Sequence, residues 1–375
     1  APGFALADDA LTVSTYDARE TIHHAWTYHT QVRPIDGVIA LVADVPLTVA
    51  SVAQLLGLPG HSIETATLCS DKVLMKDRLS AAGVPIPPYG DCFSSSHLAD
   101  LVKSPPYPLV LKPVDSRGAR GVLRLTTAVD LGWAFEHAKS HSPTGRVMAE
   151  EWLAGQQIST ETVCCDGWMV TPGFIDRNYE YLDRFAPYVI ENGGSQPSIL
   201  SQADRAAVIR VAEAAALALG ITRGTAKGDM VLTPEGPKVI EIAPRLSGGF
   251  MSSVQIPLAT GVDLVGAAIR LALGEILNPS DVTPQFHHGC AIRYSFASPG
   301  RVTAIMGVEE AQTMPGVQRV EVFAHVGEDI GSVMNHTQRA ACIITTGRTR
   351  EEAVMRAQTA VRALDIQTSE AHVNG

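Results

Sequence analysis

Residues 37–42, Gly-Val-Ile-Ala-Leu-Val, form a short continuous apolar run. A strand buried on both faces of a parallel sheet reads this way. An Ala/Leu-rich stretch near 47–57 follows with helical character and runs into Leu58-Pro59-Gly60. Strand alternating with helix predicts an N-terminal α/β domain. Such a domain usually opens on a glycine-rich first βα unit. The sequence from Ala1-Pro2-Gly3-Phe4 has none, so that unit is expected to be missing.

Downstream the period changes several times. Residues 71–82 carry helical periodicity and stop at Gly83, and 84–90 and 104–108 are proline-rich connections. Residues 109–112 (Leu-Val-Leu-Lys) and 122–126 read as two strands joined by the glycine-rich loop 115–121. A helix near 128–139 and a strand at 146–150 follow. Ser201 is an N-cap for a helix over 203–219, with Gly220 as its stop. Two strands, 226–232 and 238–242, flank the turn Thr233-Pro-Glu-Gly-Pro237. Beyond about residue 284 come short strands around 290–296, 317–323 and 341–345 and a terminal helix over 351–364. These suggest a separate small α+β unit.

Composition narrows the classes. A chain of 375 residues suits two or three domains, and 46% hydrophobic with 18% charged residues fits a globular protein. The net charge of −10 argues against a nucleic-acid binder, which needs a basic surface. No apolar run approaches the roughly 18 residues that span a bilayer, and no secretion signal is visible. The six cysteines contain no CxxC pair. A zinc cluster or disulfide framework is therefore not expected, and a reducing cytoplasm is the simplest setting.

Three groups of residues carry candidate chemistry. Asp229 and Glu241 sit twelve apart on the two strands of a presumed hairpin, so its turn would bring them side by side. Mg²⁺ favours carboxylates together with phosphate oxygens over an all-protein cage. Arg245 follows, before Ser247-Gly248-Gly249, where a guanidinium can hold a phosphate or an acyl-phosphate. A surface hairpin with solvated charges would give the same pattern. The second group is Lys112 with the loop Ser116–Gly121, which reads as a phosphate clamp, where glycine lets backbone N–H groups approach closely, or as an ordinary glycine-tipped hairpin. The third is Glu150-Glu151-Trp152-Leu153 through Gln157, a strand running into a loop that can read an adenine edge. Trp152 is expected in the core. No GxxxxGK[ST] or GxGxxG motif is present, which leaves the P-loop and Rossmann readings without support.

In this order and spacing the three groups resemble the ATP-grasp superfamily, over about residues 65–280. The resemblance implies an ATP-grasp fold: α/β and α+β lobes holding a nucleotide beneath a mobile lid. It implies ATP and Mg²⁺ as cofactors, with Mn²⁺ as a substitute. Lys72 and Lys112 would touch phosphates, and the loop containing Ser116, Gly118 and Gly121 would cover them. Glu150 and the backbone of Glu151 and Leu153 would meet adenine, and Gln157 stands where a ribose-binding glutamate is usual. Asp229 and Glu241 match the metal carboxylates, and Arg245 and Lys227 would serve the reaction. One departure is Glu241-Ile-Ala243-Pro-Arg245, in which Ala243 replaces the usual asparagine ligand.

From Pro299 onward the chain resembles the end domain of bacterial L-amino acid ligases. That implies a carboxylate–amine ligase acting through an acyl-phosphate on small carboxylate and amine substrates, amino acids among them. A homodimer with no nucleic-acid or membrane partner is implied too. The expected divisions are residues 1–68, residues 69–283 with a lid at about 106–155, and residues 284–375. A bicarbonate or thiol acceptor is an alternative, as is a nucleotide-binding protein without catalysis. Residues 174–190, with Arg177, Tyr179, Tyr181, Asp183 and Arg184, suit a substrate-contacting loop as readily as an exposed connection. His23, His24 and His29 read as a solvated helix face, and His287–His288 as a linker.

Overall fold

The computed structural model describes residues 5–103 and 108–369. Residues 1–4, and the expected 104–108 connection apart from residue 108, lie outside them. The first four strands form one antiparallel sheet: β1 (Tyr89–Cys92), β2 (Leu109–Pro113), β3 (Leu123–Leu125) and β4 (Val147–Glu151), in the order β1-β4-β2-β3. The expected hairpin is present, with Leu109 opposite Leu125. Helices Ser95–Leu101 and Leu131–Ser140 cover this sheet with Leu98, Ala134, Phe135 and Ala138, forming a core of its own.

A larger sheet holds eight strands. Its members are β5 (Gln156–Cys165), β6 (Trp168–Asn178), β7 (Gly193–Gln196), β8 (Arg223–Thr233), β9 (Gly236–Ala243), β10 (Gly289–Ser295), β12 (Val317–Val322) and β14 (Ala341–Gly347). The order is β12-β14-β10-β7-β6-β5-β8-β9, and the pairs are antiparallel. Alternation along β5 explains how both faces are covered. Ile158 and Cys164 point toward the helices Lys72–Ala81 and Gln202–Ala218, whereas Val163 and Cys165 join a core with the helix Leu264–Ala272. Ser201 caps its helix as expected, accepting from Asp204 N–H at 3.1 Å. A third sheet of β11 (Gly300–Met306), β13 (Asp329–Ile330) and β15 (Asp365–Thr368) completes the strands.

Three expectations change. Residues 37–42 form no strand, and none of them is buried. The described N-terminal residues hold three helices, Ala18–Gln31, Pro46–Leu56 and Ile63–Ser70, and no strand ahead of β1. A buried parallel strand needs neighbours for its backbone groups, and none stand beside this run. The run packs instead against other parts of the chain, with Leu41 on the core beneath the large sheet. The turn after β8 is also tighter than expected, because pairing continues to Thr233 opposite Gly236. Finally, β10, β12 and β14 extend the large sheet, so the backbone hydrogen bonds do not set residues beyond 284 apart.

All six cysteines are free and buried. The helix bearing His23, His24 and His29 has no buried residue, as the solvated-face reading expects. No described helix is long and apolar enough to cross a membrane.

Candidate active site

Period two places a polar band on one face of the large sheet. In register, Gln157 lies opposite Val231, Ser159 opposite Asp229 and Glu161 opposite Lys227. On the next strand Asp229 lies opposite Glu241. The hairpin therefore sets the two carboxylates side by side, as their spacing predicts. A cavity of about 480 Å³ opens over this band. The four-stranded sheet forms its roof through Lys112, Glu150 and Trp152, and the loop carrying Ser116–Arg120 forms its edge. The Ser247–Gly249 turn and a C-terminal turn with His336 and Arg339 close the other side.

Lys72, Lys112, Ser116, Gly118, Glu150, Glu151, Leu153, Gln157, Lys227, Asp229, Glu241 and Arg245 all line this cavity. Gly121 does not. Its φ is +72°, and a Cβ there would fall 2.8 Å from Pro113 Cγ, so glycine is needed to turn the loop. Trp152 is half-buried at the cavity wall rather than in the core, with Arg124 5.1 Å over its ring.

Charge in the cavity is closely paired. Lys72 Nζ donates to Ser116 O at 2.8 Å and lies 3.5 Å from Glu241. Glu150 is buried between Lys112 and Lys76, with Lys76 Nζ at 2.9 Å. Burial pushes the Glu150 carboxyl upward, but the two lysines override it and hold it below its ordinary value. Burial lowers Lys76 to about 8 against the pull of Glu150. Asp229 receives Lys227, and Arg177 Nη1 at 3.0 Å. Its burial is likewise overridden by Lys227, Arg177 and Arg245, which keep it ionised. Arg245 reaches Asp44 at 3.2 Å.

Sequence reasoning missed several residues here. Asp44 and Lys76 gave no motif. Glu191 binds Arg177 and lies 3.4 Å from Arg339. Glu161 is buried beneath the Ser247 turn and accepts from Ser247 N–H at 3.0 Å. His336, Tyr294 and Arg339 come from the C-terminal part, where nothing local marks them. Arg177 and Tyr179 belong to the segment weighed as a substrate-contacting loop, and both line the cavity.

A family model described as the ATP-grasp domain matches residues 69–249. Those residues form an ATP-grasp domain, and the chain has the ATP-grasp fold. ATP-grasp ligases use ATP with Mg²⁺, and one solved structure of similar fold, a 2-oxoglutarate carboxylase domain from Hydrogenobacter thermophilus, holds MgADP. A second model, described as L-amino acid ligase C-terminal domain 2, matches residues 293–369. The chain is 26% identical to uncharacterized protein y4rH of Sinorhizobium fredii over 88% of its own length and 68% of that protein. It is 27% identical to the D-alanine–D-alanine ligase of Azoarcus sp. over 57% of its length and 70% of the relative. Its fold is that of an L-amino acid ligase from Bacillus licheniformis, with a TM-score of 0.80 at 23% identity, covering 94% of this chain and 86% of that one.

The ATP-grasp residues fit their cofactors. Asp229 and Glu241 form a carboxylate pair facing the cavity, suited to a hard cation shared with phosphate oxygens. Among the described residues no cluster of three or more His, Cys, Asp or Glu forms a metal cage. The loop edge turns through positive φ at Gly118 (+65°) and Ala119 (+60°), and a Cβ on Gly118 would meet nothing within 4 Å. That leaves backbone groups open to a phosphate chain beside Lys72.

Proposed function

We propose that this chain is an ADP-forming carbon–nitrogen ligase that joins a carboxylate to an amine, with amino acids as substrates. The observation that carries this reading is the Asp229–Glu241 pair, set in register beneath Lys72 and Lys112 with Arg245 in the same cavity. When bound, ATP supplies the phosphoryl group that turns a poor electrophile, the carboxylate, into an acyl-phosphate, and Mg²⁺ shields the phosphate charge.

The chain's own residues account for the rest. Asp229 and Glu241 hold the cation. Lys72 and Lys112 place positive charge along the phosphates, and Glu150 fixes the Lys112 ammonium. Lys227 lies opposite Ala243, so its ammonium occupies the neighbourhood of the absent asparagine and reaches Asp229. Arg245, anchored by Asp44, stabilises the oxyanion that forms when the amine attacks. The loop at Ser116–Gly118 covers the reacting atoms and keeps water from a hydrolysable intermediate. Glu150, the Glu151 and Leu153 backbone and Gln157 take the nucleoside.

The amine half of the reading draws on the C-terminal match and on relatives named as amino acid ligases. Function divides along the expected lines, with residues 69–283 as the nucleotide unit, the lid at about 106–155, and the later residues closing the acceptor side. The reading includes a cytoplasmic homodimer.

The test is ADP and phosphate release with panels of amino acids, with hydroxylamine as a trap for activated carboxylate. Release should depend on ATP, Mg²⁺ and amino acids, and a hydroxamate should form from the donor alone. Glu241→Gln should lower turnover by roughly a hundredfold or more, since charge stabilisation at the phosphates is lost. Bicarbonate-dependent release, or normal turnover in Glu241→Gln, would overturn the assignment.

A further inference from the structure

The C-terminal turn brings a guanidinium into the cavity that the reaction as derived does not use. We infer that Arg339 binds the carboxylate of the acceptor, so that the amine substrate is an amino acid with a free carboxylate rather than a simple amine. This rests on the ligase reading above.

The turn His336–Gln338 follows β13 and is capped by Asn335. It is held at both ends of the cavity wall. His336 N–H donates to Gly118 O of the lid loop at 3.2 Å, and its Nε2 accepts from Glu191 N–H at 3.3 Å. Burial and the nearby Arg339 lower His336 to about 3, which keeps the ring a neutral acceptor. Arg339 leaves this turn already oriented. Its Nη2 donates to Glu191 O at 3.0 Å, and its guanidinium carbon lies 3.7 Å over the Tyr294 ring. Tyr294 is fixed in turn by its hydroxyl, which donates to Gly249 O at 3.0 Å.

That geometry leaves donors unused. Arg339 Nε is buried with no hydrogen-bond partner. Nη1 has no hydrogen bond or ion pair among the described residues, and it lies 3.9 Å from where a Cβ on Gly249 would stand. It is thus directed to the glycine turn that follows Arg245. Unmet buried donors of a charged group are costly unless a ligand meets them. Charge balance agrees. Arg177 and Arg339 both face Glu191, while Asp229 is also paired with Lys227. One guanidinium at this end therefore lacks a carboxylate of its own.

The anion it takes must survive the reaction. The donor's carboxylate is consumed beside Asp229, Glu241 and Arg245, and Arg339 pairs with neither of those acids. An acceptor amino acid carries its carboxylate through unchanged. A planar carboxylate also matches the fixed fork of an arginine better than it matches a lysine.

The test compares acceptors that differ only in this group, such as alanine and alaninamide, through kcat/KM from phosphate release and product mass. The wild type should favour the acid by roughly tenfold or more, the scale of one charged hydrogen bond. Arg339→Gln should bring the ratio toward one, mainly through the KM of the acid, and Arg339→Lys should keep part of it. Equal use of acid and amide by the wild type overturns the inference. So does an unchanged ratio in Arg339→Gln, which would make Arg339 a support for Glu191 and Tyr294 only. Hydroxamate formation by the wild type separates the two claims: if it occurs and the ratio fails, the inference falls alone, and if no donor forms a hydroxamate, the ligase reading falls and takes the inference with it.

Discussion

Glu161 lies under the turn that follows Arg245, in a position where a carboxylate is costly. It is 1% exposed, and its Oε2 has no hydrogen-bond partner. Burial raises its carboxyl to about 7, against the opposing pull of Ser247, Lys227 and Arg245. The native state therefore holds a proton that the unfolded chain, near the ordinary 4.5, has released. Stability should fall as pH rises from about 4.5 to about 7 and then level off. Glu161→Gln keeps the side-chain oxygen that accepts from Ser247 N–H and removes the titration. Its melting temperature should match the wild type near pH 5 and exceed it at pH 8, by up to about 3 kcal/mol in stability. An equal gain at both pH values would show that charge is not the cause.

At the scale of elements, the join between β6 and its neighbours and the C-terminal strands depends on one short strand. β7 pairs with β6 on one side and β10 on the other. Gly193 begins it with φ at +144°, and a Cβ there would fall 2.0 Å from Ile292 O on β10. Gly193→Ala adds a steric clash to backbone strain and should destabilise by about 2 kcal/mol or more. Gly167 is the control: its φ is +108°, but a Cβ there meets nothing within 4 Å. Gly167→Ala should cost only about 1 kcal/mol, from strain alone. Denaturant midpoints of the two variants test this, and equal losses would remove the clash as the cause. The same distinction governs what the sequence made legible. The β8–β9 hairpin, the glycine loop and the helix at Gln202–Ala218 follow from local period, caps and turns, so Asp229, Glu241 and Lys112 could be read directly. Residues 37–42 misled because an apolar run records hydrophobicity, not whether a neighbouring strand exists. Glu191, His336 and Arg339 could not be read because distant segments bring them together, and the hydrogen bonds that join them leave no mark on their sequence neighbours.

At the scale of the whole molecule, three distant segments meet the loop at Ser116–Gly118. Arg117 donates to Asp44 O at 2.6 Å and stacks 4.0 Å over Tyr16, which ties the loop to the N-terminal part. Lys72 reaches Ser116 O from the start of its helix, and His336 N–H reaches Gly118 O from the C-terminal turn. These contacts are few, three of them ending on a backbone carbonyl, and the cavity beneath them sets Lys72 and Lys112 near the carboxylates Asp229 and Glu241. On the ligase reading, MgATP would be held by Lys72, Lys112, Asp229 and Glu241, and it would bind the folded chain alone. MgATP at a hundred times its Kd should therefore stabilise the fold by about 2.7 kcal/mol. The melting temperature should rise steadily with the logarithm of ATP concentration above Kd. Without Mg²⁺ the rise should shrink, because Asp229 and Glu241 would then face the phosphates with only Lys227, Arg177 and Lys72 to offset their charge. Glu241→Gln should lose most of the Mg²⁺-dependent part while keeping the part due to ATP alone, and Lys72→Met should weaken both. A shift in melting temperature that is indifferent to Mg²⁺ in the wild type would place the cation elsewhere than on the β8–β9 hairpin.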